Sequence, residues 1–155
     1  MNGGTAVIAA LERHHESVRR VVMAALVLVI VLVAAYWTLW FAWRGGVASQ
    51  DTEAYRDFEN AFPLADAWLA LCCLLALVHL VRRSTAAVFW LTAAGSAGVF
   101  LGSMDLLYDI EHGIFTRGSA GAIEAVIVAA TWIFSLGVLL WAWYGRAALS
   151  RHRRQ

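Results

Sequence analysis

Four long apolar runs, Val21–Trp43, Pro63–Val81, Thr85–Leu107 and Ile123–Tyr144, alternate with short polar segments along the chain. Each is about 19–23 residues long, enough at a rise of 1.5 Å per residue to cross roughly 30 Å of hydrocarbon. The pattern predicts an all-α, polytopic membrane protein, with four transmembrane helices in an antiparallel bundle. So many spans leave no room for a separate soluble unit, so residues 1–155 read as a single four-helix transmembrane domain. The turn Arg82–Arg83–Ser84 is short enough to force the second and third spans to lie side by side. Pro63, the sole proline, suits the first turn of the second span, where its missing N–H is no loss.

The segments between the runs carry weaker signals. Thr5–Arg20 reads as an amphipathic helix with Ile8, Leu11, His15 and Val18 on one side, either lying along the headgroups or extending the first span. The run Val21–Trp43 is too long for a signal-peptide core and ends in bulky aromatics, so it reads as a retained anchor. Its aromatics Tyr36, Trp37, Trp40, Phe41 and Trp43 suit a belt at headgroup level. In the first outer loop, Ser49 followed by Asp51, Thr52 and Glu53 signals a helix start. Tyr55, Phe58 and Phe62 then recur at helical spacing, which predicts a short interfacial helix capping the bundle. Cys72 and Cys73 are neighbours on a helix, about 100° apart and poorly placed to bridge, so they read as lipid-facing or packing residues.

Composition and charge add orientation. The chain is 61% hydrophobic with a mean hydropathy of +0.66, above the roughly 45–50% apolar content of soluble domains. All twelve basic residues are arginine, and nine (Arg13, Arg19, Arg20, Arg82, Arg83, Arg146, Arg151, Arg153, Arg154) fall on one side of the four-span arrangement. Arg44, Arg56 and Arg117 fall on the other. The positive-inside rule predicts a multi-pass protein of the cell membrane with both termini cytoplasmic. Nine of the eleven acids, Asp51 to Glu124, lie on or near the opposite side. The basic tail SRHRRQ then meets anionic headgroups of the lipid bilayer, and no nucleic-acid partner is expected.

The candidate chemistry centres on Gly95–His112. Ala94, Gly98, Gly102, Asp105, Asp109 and His112 share one helical face. Ala94, Gly98 and Gly102 make two overlapping small-xxx-small steps, a helix-packing surface for another span or another chain. An Asp inside an apolar span costs roughly 2.5–3.5 kcal/mol at mid-membrane and less near its ends, so it is expected to face protein or water. The expected ligand-binding set is Asp66, Asp105, Asp109, His112 and Glu59, with aromatic walls from Trp37, Trp40, Trp68 and Tyr108; Glu111 and Glu124 lie nearby. Asp66 and Asp105 sit at matching depths, and two such carboxylates are expected to share a proton or hold a cation.

Other chemistries fit less well. Asp109-x-x-His112 with Asp105 and Asp66 has metal-ligand spacing, but one histidine among carboxylates is a weak signature, and no H-E-x-x-H or paired E-x-x-H occurs. No metal is therefore assigned. His79 and His112 lie at opposite ends and do not bracket a haem, and no C-x-x-C supports thiol redox chemistry. Small multidrug transporters share the helix count and length, but their coupling acid is in the first span, which here carries no charge from Val21 to Trp43. The pattern names neither a catalytic residue nor a cofactor. The leading expectation is binding of a small amphipathic or cationic molecule in an acidic pocket near the outer leaflet. The alternatives are an accessory subunit whose small-residue face meets a membrane-protein partner or a second copy, or an enzyme or ion or proton pathway built on the acid pair. Acids converging inside the bundle favour the first; a small-residue face turned outward favours the accessory subunit.

Overall fold

A computed structural model describes residues 3–43 and 52–150, with side chains from Glu16 to Trp43 and Thr52 to Arg146. The chain is all-α: α1 (Gly3–Ala42), α2 (Glu53–Glu59), α3 (Pro63–Val81), α4 (Ala86–Glu111), a 3-10 turn (Ile114–Thr116) and α5 (Gly118–Ser150). Four stretches, Glu16–Ala42, Glu53–Val81, Ala86–Glu111 and Gly118–Arg146, are helical, long and apolar enough to cross a membrane.

The second helix keeps the bounds of its apolar run, with Pro63 in its first turn. The other boundaries move outward. α1 runs unbroken for 40 residues, so the segment Thr5–Arg20 extends the first span; its faces at Ile8, Leu11 and His15 lie outside the described side chains. α4 continues past Leu107 to Glu111, carrying the acids on regular helix. α5 starts at Gly118 rather than near Ile123, and the loop between α4 and α5 shrinks to the 3-10 turn and its flanks. Gly113 makes this tight reversal in the left-handed region at φ 62°, which glycine adopts without the steric cost of a Cβ.

α3 packs on α1 and α4, and α4 also packs on α5. α4 is the central helix: 39% of its apolar window is buried, against 17% for α1 and for α5. Its small residues allow this. Ala87, Ala94, Gly95, Gly98 and Gly102 are buried, and a Cβ on Gly98 would run into Ser135 Oγ of α5. A Cβ on Gly95 would lie 2.6 Å from Leu139 Cγ, and one on Gly102 3.1 Å from Thr131 Cγ2. The face read as Ala94, Gly98 and Gly102 thus belongs to an internal α4–α5 seam, to which Gly95 must be added. Ser135, fully buried, donates to the Thr131 carbonyl at 2.6 Å, so its hydroxyl needs no interhelical partner.

The core beside this seam is formed by Leu26, Leu69, Ala76, Leu80, Leu91 and Val138, among others. Cys72 and Cys73 are free thiols buried within it, as packing residues rather than lipid-facing ones. A second apolar cluster of Trp37, Trp40 and Tyr55 lies between α1 and α2.

Candidate functional site: an aromatic and acidic end

The short helix α2 begins at Glu53, and its cap is Thr52, whose side chain accepts from the Tyr55 N–H at 3.2 Å. The expected start signals Ser49 and Asp51 lie outside the described residues. The aromatic face of α2 turns into the protein. Tyr55 is buried against Trp40, with ring centroids 6.2 Å apart, and Phe58 stacks on Tyr108 of α4 at 3.9 Å.

This placement also resolves the aromatic end of α1. Trp40 is fully buried and Trp37 nearly so, whereas Phe41 and Trp43 stay about two-thirds exposed. Of the aromatics expected in one belt, Phe41 and Trp43 thus stay on the protein surface, whereas Trp37 and Trp40 are packed inside it. Their indoles have specific partners: Trp37 Nε1 donates to Asp66 Oδ2 at 2.8 Å, and Trp40 Nε1 donates to Asn60 Oδ1 at 3.1 Å. One residue earlier, Tyr36 donates its hydroxyl proton to Glu59 Oε2 at 2.8 Å. Tyr55 is a second hydrogen-bonding partner of Glu59. Three polar groups of the α2–α3 segment are thus held by the last two turns of α1.

The acids of α4 have a different environment. Asp105 and Asp109 lie one turn apart and share an electrostatic neighbourhood with Glu59 and with Glu124 of α5. Asp66 acts on Asp105 as well, through its charge and without a hydrogen bond between them among the described residues. Asp109 is only 6% exposed, yet its Oδ2 atom is buried without a hydrogen-bond partner. Among the described residues, no arginine forms an ion pair with Glu59, Asp66, Asp105 or Asp109; the ion pairs at hand join Glu16 to Arg19 and Arg83 at the far end.

The remaining expected site residues separate. Tyr108 is central, stacked between Phe58 and His112. His112 is exposed, with its ring on Tyr108 and Nδ1 2.9 Å from the Tyr108 carbonyl oxygen. Glu111 is exposed as well. Trp68 is 51% exposed and takes no part in the aromatic cluster. Tyr36 and Asn60 were not in the expected set. Their signal was the polar tip of each aromatic in an otherwise charge-free span, since a buried indole or phenol needs a partner. Among the described residues, no group of three or more His, Cys, Asp or Glu side chains is arranged to hold a metal ion.

A cavity of about 330 Å³ between α4, the 3-10 turn and α5 is lined by Leu106, Phe115, Ala125, Val128, Ala129 and Trp132, with no acid in its wall. Chemically, this end of the molecule offers hydrogen-bond acceptors and negative charge within an aromatic frame. Comparison with protein families, curated proteins and solved structures finds no match.

Proposed function

We propose that this is an integral protein of the cell membrane that binds a small amphipathic cation at the outer end of an antiparallel four-helix bundle. The observation that carries the reading is Asp109: a carboxylate almost removed from solvent, with one oxygen unpartnered, where the charges of Glu124 and Glu59 outweigh that of His112 and Asp105 lies one turn away. A buried charge in such surroundings calls for a counter-charge, and an ammonium group supplies one.

The antiparallel arrangement is supported by contacts at both ends of α1. Glu16 meets Arg83 of the α3–α4 turn, and Trp37 meets Asp66 at the start of α3. The 21 residues between Glu16 and Trp37 span about 31 Å by helical rise, close to the thickness of the hydrocarbon core. The arginine distribution orients the bundle with both termini cytoplasmic, and α2 then lies at the outer surface over the acids. Gly98 and Gly102, two of the three small residues on which the accessory-subunit reading rested, face α5, which favours the ligand-binding reading over it.

The test is equilibrium binding of decyltrimethylammonium to the full chain in nanodiscs, comparing wild type with Asp109→Asn. The expected result is saturable binding that weakens tenfold or more in the variant. Binding indifferent to Asp109→Asn would remove the cation site.

A further inference from the structure

At the end opposite the acids, the turn between α3 and α4 closes as a Schellman motif. The Arg83 N–H donates to the Leu80 carbonyl at 3.1 Å, and the Ser84 N–H to the His79 carbonyl at 2.9 Å. This sets Arg83 in the left-handed region at φ 50°, the sole non-glycine residue with positive φ among the described residues. Glycine is the usual occupant of that position, because a Cβ there crowds the backbone. An arginine kept at such a place points to a role for its side chain. The guanidinium reaches α1, with Nη2 3.5 Å from Glu16 Oε1, and the side chain stays 48% exposed. Glu16 in turn accepts two bonds from Arg19 Nη1, at 2.6 and 2.8 Å.

Charge at this corner is unbalanced. Arg20 and Arg82, both exposed, adjoin Arg19 and Arg83 in sequence, so four arginines stand against the Glu16 carboxylate among the described side chains. Arg19 Nε is buried without a partner, as is Nδ1 of His79, one turn before Arg83. Donor capacity here exceeds what Glu16 accepts. Arg146, at the same end of α5, is turned back on its own helix, with its guanidinium 4.1 Å from the Trp143 ring and donating to the Trp143 carbonyl. By helical rise, Glu16 lies about one hydrocarbon thickness from Trp37, which puts the corner at headgroup level. Val21 and Val81, one residue further into the span than Arg20 and Arg82, are 68% and 58% exposed, an apolar surface against which acyl chains can lie. The planar fork of arginine matches two phosphate oxygens. A quaternary ammonium headgroup meets repulsion from the same arginines, so the charge favours an anionic phospholipid over a zwitterionic one.

We propose that this corner binds the phosphate of an anionic phospholipid, held by Arg83, which Glu16 aims, together with Arg20 and Arg82. This rests on the membrane placement above and not on the cation site, whose failure would leave it untouched. The test is native mass spectrometry of the full chain in dodecylmaltoside, titrated with dioleoylphosphatidylglycerol or dioleoylphosphatidylcholine. Phosphatidylglycerol is expected to bind at least about tenfold more tightly, since each arginine near an anionic headgroup contributes roughly fivefold. Arg83→Gly should weaken phosphatidylglycerol binding about fivefold, and Arg146→Gln should leave it unchanged. Glycine takes φ 50° without strain, so the loss in Arg83→Gly is one of the guanidinium and not of the fold. Inorganic phosphate at millimolar concentration should not displace the lipid. Equal binding of the two lipids would overturn the site. So would equal losses in Arg83→Gly and Arg146→Gln, the mark of diffuse attraction to a basic surface. Displacement of phosphatidylglycerol by inorganic phosphate would make the ligand a free phosphate and overturn the lipid assignment.

Discussion

The acid-bearing end of the molecule has two halves that treat polar groups in opposite ways. On the α1–α2–α3 side, each partly buried acid has a donor from α1, Glu59 from Tyr36 and Asp66 from Trp37, and the buried Trp40 indole donates to the exposed Asn60. On the α4–α5 side, Asp109 Oδ2 and Trp132 Nε1 are buried and unpartnered, and Trp132 also lines an apolar cavity between the helices. Hydrogen bonds to a charged acceptor contribute about 1.5–3 kcal/mol, whereas an unsatisfied buried group costs about 1–3 kcal/mol. The paired half therefore fastens α2 and α1 to α3. The unpaired half holds unmet polar demand, the expected condition of a surface that receives a ligand.

The largest expected effect comes from the seam on which both halves depend. Gly98→Leu would drive a side chain into Ser135 and separate α4 from α5. Overpacking a tight core costs typically about 1–3 kcal/mol, occasionally more, and here the obstacle is the short, fully buried Ser135 side chain, which has little room to turn away. Thermal unfolding in nanodiscs should show a large drop, with cation binding lost at temperatures where the fold survives. An unchanged unfolding midpoint would mean that the two halves do not share this support.

Next is the paired half. Trp37→Phe keeps an aromatic body but removes the donor to Asp66, leaving that carboxylate half-buried without its indole. Stability should fall by about 1.5–3 kcal/mol, with the cation site at Asp109 largely intact. The same unfolding measurement decides: no loss would make the Trp37–Asp66 bond incidental.

Much of this division was out of reach from the sequence, for identifiable reasons. The four helices were legible because 19 or more consecutive apolar residues have few other uses. So was the acid-bearing end, because Glu59, Asp66, Asp105, Asp109 and Glu124 stand out against an apolar background. Which way each aromatic turned was not legible. Tyr36, Trp37, Trp40, Phe41 and Trp43 look alike as an interfacial belt, and their rotation about α1 is fixed by partners on α2 and α3 that are 20 or more residues away. The partner of the glycine face was equally hidden. Small-xxx-small spacing reports that a helix approaches closely, not which helix, and here it is α5 rather than α3 or another chain.

Asp109→Asn should affect stability less than Trp37→Phe, and in the opposite sense. Neutralising a buried, unpartnered carboxylate removes a desolvation cost and repulsion from Glu124 and Glu59, which together outweigh the attraction of His112. The unfolding midpoint should hold or rise while cation affinity falls. A stability loss as large as that of Trp37→Phe would show that Asp109 is held by contacts of the paired kind, and the contrast between the halves would disappear.

The smallest effect tests whether the halves are independent. The matching depths of Asp66 and Asp105 suggest one coupled unit, but Asp66 is committed to Trp37 and has no hydrogen bond to Asp105 among the described residues. Asp105 and Asp109 are neighbours one turn apart on α4, where like charges oppose each other. Two double-mutant cycles read by decyltrimethylammonium affinity separate these arrangements. Across the halves, Asp66→Asn with Asp109→Asn should be nearly additive, with an interaction energy of about 0.5 kcal/mol or less. Within the unpaired half, Asp105→Asn with Asp109→Asn should cost clearly less than the sum of the single changes, because either carboxylate alone can hold the cation in part. The reverse ranking, strong coupling through Asp66 and additivity within α4, would move the cation to the α3–α4 interface and make Asp66 its anchor.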